Sequence, residues 1–364
     1  MKKLINLINK FLFYIRKKQI QTHKEKINKV IVLSNTALGD TILSTPVVKT
    51  LKKSFPDIYI VFMINKTLYP LFKDYEYADK VLTYNKSFWG IIKHILYFRK
   101  NKFDSIFLAH SNGPQDLFIV LASNIPNIHK AINYPNKVSY EFLKLIKNDI
   151  NNEKYQHIIE HRLDTVRYLN PPILDLTIDI PKKFYKKIII NDDKFIIGFQ
   201  LGAADIYKMW PIENFIKLAN KLIKFNNKII IVLLGIKSEQ GLASQLLQYT
   251  IDKKRVINYC EKTSIEELPM LINSLDLLVT NDTGTLHLAV ALKKNSISLF
   301  SPTDSKIFGP YQDFNKHIVI QKNGNFINNK PKKDRNQDAM KLITAEEVYE
   351  SAIKQIYRIK KCVV

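Results

Sequence analysis

The chain has 364 residues, 46% of them hydrophobic, and 56 Lys plus Arg against 33 Asp plus Glu, a formal net charge of +23. That length exceeds what one core usually holds, so two domains are expected, and the apolar content excludes general disorder. The two cysteines, Cys260 and Cys362, form no C-x-x-C pair, which excludes a disulfide framework or a structural zinc site of ordinary spacing and fits a reducing, cytoplasmic setting. The positive balance suits an anionic partner such as nucleic acid, a membrane surface or a phosphorylated substrate. The lysines are scattered and not striped, however, as a general drift toward Lys, Asn and Ile would leave them.

In chain order, the first segment reads MKKLINLINKFLFYIRKK. Asn6, Asn9 and Lys10 interrupt its apolar stretch and no small-residue cleavage site follows, so it does not read as a signal peptide. Leu4, Ile5, Ile8, Phe11, Leu12 and Ile15 fall at helical spacing among basic residues. That pattern predicts a basic amphipathic helix, fit either to lie on an anionic membrane or to pack on its own domain. No run of ~20 apolar residues predicts a membrane span.

Apolar runs at 30–33, 58–64, 80–82, 105–109 and 128–132 read as strands, and 41–55, 88–100 and 116–122 as the helices between them. Two further helices are expected at 140–146 and 156–168. Pro171, Pro172 and Pro181 then mark an extended connector and a candidate domain boundary. The alternation restarts with strands at 195–200, 228–234, 255–257, 276–280 and 296–300. Helical patterns fall at 212–225, 239–249, 265–274 and 285–292, with a last helix after Thr344. Alternating strand and helix implies parallel sheets covered on both faces. The expected class is α/β, two Rossmann-like domains with parallel sheets facing a central cleft. The boundaries read as 1–28 for the amphipathic segment, 29–185 and 186–340 for the two domains, and 341–364 for the final helix, which could pack back on the first domain.

In such sheets ligands sit beyond the carboxyl ends of the strands, and five strand-end segments carry suitable chemistry. In ALGDTILSTP, Gly39 allows a tight turn and Asp40 sits at a helix start, which keeps a carboxylate ionised; taken alone, Asp40 reads as a helix cap. In LGAADIYKMWP, Gly202 opens a loop from which Lys208 could meet a phosphate oxygen as a point charge, or simply be solvated. In LLGIKSEQ, Glu239 could accept hydrogen bonds from ribose hydroxyls, or decorate a first helical turn. In LLVTNDTGTLHLAVAL, Asp282, Thr283 and Gly284 lead straight into an apolar helix whose first N–H groups, with the Thr283 and Thr285 hydroxyls, form an anion site. His287 follows three residues on. SLFSPTD, with Thr303 and Asp304, reads as a structural loop. His157 and His161 are spaced i, i+4 but lack an H-E-x-x-H context and a third ligand, so they read as ordinary helix residues. There is no G-x-G-x-x-G, no G-x-x-x-x-G-K-[ST] and no D-x-D, which removes the usual dinucleotide, P-loop and metal-dependent sugar-nucleotide signatures.

These residues together resemble glycosyltransferase family 9, the ADP-heptose:lipopolysaccharide heptosyltransferases. ALGDTILSTPVVKTLKKSFPD resembles the family's N-terminal motif, KMWP its K-x-W-P loop, and NDTGTLHLAVAL with SLFSPTD its nucleotide-binding signature and following loop. DAMKLITAEEVYESA is similar to its C-terminal helix. The resemblance implies a GT-B fold and inverting, metal-independent transfer of a sugar, heptose from ADP-heptose, to a lipopolysaccharide-core or related lipid-linked saccharide. It implies Asp40 as the catalytic base, with Lys208, Glu239, Asp282, Thr283, Gly284 and His287 on the donor nucleotide, Gly39 and Gly202 supporting their loops, and no metal or cofactor. The expected partners are the nucleotide-sugar donor, the lipid-linked acceptor and an anionic membrane surface, with no nucleic acid. The expected enzyme is a cytoplasmic monomer, peripheral on the inner face of the inner membrane. Lys66, Lys130 and Lys137 are candidates for acceptor phosphates. Ala203 and Ala204 stand where relatives often carry a hydroxyl. The alternatives are a GT-B transferase with another nucleotide sugar, separable by donor profiling, and a basic nucleic-acid-binding protein, separable by a salt-dependent DNA shift.

Overall fold

The computed structural model describes residues 27–111, 114–130, 156–190, 193–322 and 336–361, together with 12 and 14. The helix expected at 140–146, most of the amphipathic segment, Lys137 and Cys362 lie outside the described residues. The chain divides into two compact units, Met1–Pro181 and Lys182–Val364. Each is a wholly parallel α/β sheet, as the expected GT-B class requires.

In the first unit, β1 (Lys29–Ser34), β2 (Tyr59–Asn65), β3 (Lys80–Tyr84), β4 (Ser105–His110) and β5 (Asn127–His129) lie in the order β3-β2-β1-β4-β5. Central β1 is buried from Val30 onward, as a strand covered on both faces must be. Its helices are α1 (Leu38–Ile42), α2 (Thr45–Ser54), α3 (Phe88–Asn101), α4 (Pro114–Ala122) and α5 (Ile158–Arg167). The single helix expected over 41–55 is therefore two. Pro46 stands in the first turn of α2; it lacks an N–H and its ring clashes with the carbonyl four residues back, so a continuous helix cannot pass it. The proline-rich connector is sewn to α2. Buried Lys49 donates to the Thr177 carbonyl at 3.0 Å and pairs with Asp175 and Asp179 at 3.3 and 3.2 Å.

In the second unit, β6 (Phe195–Gln200), β7 (Ile229–Leu234), β8 (Val256–Asn258), β9 (Leu277–Asn281), β10 (Asn295–Phe300) and β11 (His317–Gln321) take the order β11-β10-β9-β6-β7-β8. Its helices are α6 (Ile212–Phe225), α7 (Gln240–Tyr249), α8 (Glu267–Ser274), α9 (Gly284–Ala291) and α10 (Ala345–Lys361). Along α6 the buried residues Ile212, Phe215, Leu218, Ala219, Leu222 and Ile223 repeat at three and four positions, which puts them on one stripe against the sheet. The last helix, α10, adds Val348, Ala352 and Ile356 to this unit's core. Among the described residues, no helix is long and apolar enough to cross a membrane.

The strand orders fix where chemistry belongs. Sequence order reverses between β1 and β4 in the first sheet and between β6 and β9 in the second. At such a reversal, neighbouring crossovers leave to opposite faces and a crevice opens beyond the carboxyl ends. At the first reversal stand Asp40, in the helix that follows β1, and His110, the last residue of β4; the segments after β6 and β9 carry Lys208 and Asp282.

Candidate active site

In the first unit, Asp40 lies in the first turn of α1, but the N-cap is Ala37, with no side-chain cap. The carboxylate instead reaches sideways. Oδ2 accepts from Thr36 Oγ1 at 2.9 Å, and Oδ1 accepts from Arg162 Nη2 of α5 at 2.9 Å. Arg162 also donates through Nη1 to the Asp40 carbonyl and, at 3.0 Å, to Ser44 Oγ. Arg162 is 1% exposed while the Asp40 side chain is 29% exposed, so a buried cation stands behind a reachable carboxylate. Burial alone would raise the Asp40 pKa; the fields of Arg162 and His110 and the bonds from Thr36 and Arg162 outweigh it and hold the group below its ordinary value.

His110 ends β4. Its Nε2 is 3.4 Å from Asp40 Oδ1 and its Nδ1 is 2.7 Å from Thr36 Oγ1. Burial first, then the Arg162 charge, brings its pKa down to about 4, so at neutral pH it is an uncharged imidazole. Thr36 has one hydroxyl proton for two acceptors, so its rotor and the His110 tautomer are set together. Below this group, buried Asp116 accepts from Asn35 Nδ2 at 2.8 Å, Ser111 Oγ at 2.7 Å and the Tyr84 hydroxyl. Lys130, also buried, donates to the Ser111 carbonyl. The network ties together the ends of β1, β3, β4 and β5. Lys130 is thus committed inside the unit, while Lys66 is exposed.

In the second unit, Asn281 is the joint. Wholly buried, it accepts from the Trp210 backbone N–H at 2.9 Å and donates to the carbonyls of Gln200, Leu201 and Gly202 at 3.2–3.3 Å. The end of β9 is thereby clamped to the loop after β6. Trp210 is fixed at its other end by Nε1 donating to the Ile343 carbonyl at 2.8 Å. Lys208, held on this loop, pairs with Asp282 at 2.6 Å; its side chain is 22% exposed and that of Asp282 only 7%. The lysine so has a fixed counter-ion and keeps one open side.

Glu239 folds under the same loop. Its Oε2 accepts from Ile236 N–H at 2.9 Å and from Gln200 Nε2 at 3.3 Å. Burial raises its pKa against those two bonds. A methyl group on Gly202 would collide with this carboxylate. No described glycine has positive φ, so Gly202 serves by lacking a side chain, and Gly39 lies in α1 with ordinary helical geometry. Thr283 is the N-cap residue of α9 and His287 is buried in its second turn. The Thr285 hydroxyl, expected to face an anion, donates instead to Gln200 Oε1 at 2.9 Å, because Gln200 spends its N–H on Glu239. Asp304 accepts from Lys306 N–H at 2.9 Å as an ordinary cap.

The structure gathers Lys208, Glu239, Asp282, Thr283, Gly284 and His287 at one sheet switch point and sets Asp40 at the other. Arg162, His110 and Thr36 escape sequence reasoning, since each is a common residue type on a different element. The only prior signal was that 105–109 reads as a strand whose exit loop begins at His110. His157 is the N-cap of α5, its Nδ1 accepting from Ile159 N–H at 3.2 Å, and among the described residues no group of three potential metal ligands forms.

The model of glycosyltransferase family 9 (heptosyltransferase) matches residues 133–341. Lipooligosaccharide heptosyltransferase 2 of Campylobacter jejuni is 28% identical over 297 residues, covering 80% of this chain and 86% of the relative. The structure of E. coli ADP-heptose LPS heptosyltransferase II superposes with a TM-score of 0.72 at 17% identity, covering 92% of this chain and all of that one. E. coli heptosyltransferase WaaC with ADP gives 0.66 at 17% identity, covering 90% and 99%. Likeness at that identity is likeness of fold.

Proposed function

The chain belongs to glycosyltransferase family 9 and is a glycosyltransferase; from that premise we propose that it transfers heptose from ADP-heptose to a lipopolysaccharide-core or related lipid-linked saccharide, with inversion and without a metal. The names of its relatives, heptosyltransferases of lipooligosaccharide and lipopolysaccharide, support the sugar and the acceptor class. In this reading residues 29–185 serve the acceptor and 186–340 the donor. The enzyme works as a monomer on the cytoplasmic face of the inner membrane.

The observation that carries the reading is Asp40, a partly exposed carboxylate kept ionised by a buried arginine. Asp40 takes the proton of the acceptor hydroxyl as that oxygen attacks the anomeric carbon from the face opposite the leaving ADP. Loss of the glycosidic bond places negative charge on the diphosphate. The open side of Lys208 and the first N–H groups of α9 offset that charge, and buried Glu239 accepts from the ribose. Asp282 keeps Lys208 aimed.

Titration calorimetry with ADP tests the donor half. Lys208→Ala should weaken binding by about 1.5–3 kcal/mol, the range for hydrogen bonds to charged groups; unchanged affinity removes Lys208 from the site. Turnover in EDTA, with NMR of the product's anomeric centre, tests the rest. A retained configuration, or activity that returns only with Mg²⁺, overturns the inverting, metal-free reaction.

A further inference from the structure

Helix α3 presents an unusual outer face. Its inner side is ordinary: Ile91 and Phe98 are buried in the first unit's core, and Ile95 and Tyr97 pack against it. Outward, at four- and three-residue steps, stand Trp89, Lys93, Leu96 and Lys100, all exposed. Phe88 is 70% exposed, Trp89 69% and Leu96 60%, a concentration of bare apolar surface on one helix. The two rings stack edge to face with centroids 5.5 Å apart.

The local chain is built to hold them there. Ser87 Oγ caps α3 by accepting from Gly90 N–H at 3.1 Å, and Asn85 Oδ1 accepts from Ser87 N–H at 2.9 Å. Asn85 packs into the space that a side chain on Gly90 would fill. Phe88 and Trp89 therefore project from a fixed turn and not from a loose loop.

Charge supplies the second half. From residue 80 to residue 103 the chain has no acidic residue and carries Lys80, Lys86, Lys93, Arg99, Lys100 and Lys102. The flanking acids are turned to other work: Asp79 pairs with Lys52 at 3.1 Å, and Asp104 accepts from the backbone N–H groups of Asn28 and Lys29 at 2.8 Å. Exposed aromatic and aliphatic side chains alternating with Lys93 and Lys100 on one helix face, in a stretch of chain without acids, match the interface of an anionic bilayer, where rings sit at headgroup depth and ammonium groups meet phosphates. Phe88 and Trp89 also follow β3, so they stand at the same carboxyl edge of the sheet as Asp40.

We propose that the exposed face of α3, led by Phe88 and Trp89, docks this protein on an anionic phospholipid surface. The inference does not depend on the donor or the reaction and would survive their failure.

Trp89 is its own reporter, because the chain's only other tryptophan, Trp210, is 1% exposed and buried in the second unit. The full chain is mixed with vesicles of phosphatidylglycerol and phosphatidylcholine, or of phosphatidylcholine alone. On the anionic vesicles, Trp89 emission should shift to the blue and be quenched by lipids brominated near the headgroup. Phe88→Ser with Trp89→Ser should lower partitioning at least tenfold. Lys86, Lys93 and Lys100→Glu together should lower it by about a hundredfold or more, as each basic residue near such a surface contributes roughly fivefold. All these positions are exposed, and an unchanged circular dichroism melt confirms the fold. Binding without quenching of Trp89, as docking through residues 1–28 alone would give, overturns the proposal. So does equal binding to anionic vesicles by the Lys→Glu variant and the unaltered chain, or equal binding of the unaltered chain to neutral and anionic vesicles. Sedimentation showing self-association through Phe88 and Trp89 in place of lipid binding overturns it as well.

Discussion

Replacing Asp40 by Asn asks whether this carboxylate is a counter-ion or a base. As a helix cap, Asn would serve as well as Asp and nothing would be lost in stability. The structure gives another answer. The substitution removes the only carboxylate bonded to Arg162 among the described residues, and the arginine stays buried and charged. Breaking a fully buried pair costs about 3–5 kcal/mol. Here Asp40 is 29% exposed and Arg162 keeps its bonds to the Asp40 carbonyl and Ser44, so about 2–3 kcal/mol is expected. Chemical denaturation of Asp40→Asn should show that loss, and turnover should fall by roughly 10²–10⁴, the usual contribution of a general base. The two effects separate in the double variant. Asp40→Asn with Arg162→Met carries no lone buried charge, so most of the stability should return while turnover stays low. Arg162→Met alone should keep some turnover but move the acid limb of kcat/KM upward, because burial would then dominate the Asp40 pKa. If the double variant regains turnover along with stability, Asp40 is only the partner of Arg162 and the base must be another group.

Gly202→Ala should push the Glu239 carboxylate from its place, lowering ADP affinity by about 1–3 kcal/mol, the value of the hydrogen bonds displaced; calorimetry showing no change would mean that Glu239 does not touch the nucleotide. Stability should also fall with acid. His110, His161 and His317 each have a folded pKa of about 4, pressed down mainly by burial, against an ordinary 6.5. Between those values the unfolded chain binds protons that the folded chain refuses, so stability rises with pH there and is lost as pH falls from 6.5 toward 4. At pH 5, unfolding should take up between two and three protons, a slope of about 3.5 kcal/mol per pH unit. A flat denaturation midpoint between pH 6.5 and 5 would show these imidazoles to be solvated.

Much of this architecture is legible in the sequence because buried parallel strands write themselves as apolar runs. The strand at 195–200 and the helix at 212–225 fall where the pattern puts them. The misses have physical causes. Pro46 splits a helix whose apolar spacing runs on unbroken. β11 is an edge strand whose burial is only partial after His317, so its pattern is weak. Asp40, Lys208 and Glu239 announce themselves as charged residues at strand exits. What they bond to does not: Arg162 lies 122 residues from Asp40, and Asp282 lies 74 from Lys208. Pairing at that distance is decided by strand order, which no local window carries. The aromatic pair on α3 carries no signal of its own, since the pattern places residues 88–100 in a helix without saying which of its faces the fold leaves outside.

The separation between Asp40 and Arg162 also orders events in time. A ribosome delivers α1 early and α5 only after 115 further residues have been added. Until α5 arrives, all five strands of the first sheet have been made, yet the carboxylate has no guanidinium behind it and lacks the largest of the influences that hold its pKa down. Domains fold as units during synthesis, so the ionised acid is among the last features of the first unit to be completed. A chain ending before residue 162 would carry all five strands and their exit loops but lack the guanidinium that stands behind Asp40. The setting of Asp40 is complete only once α5 is in place.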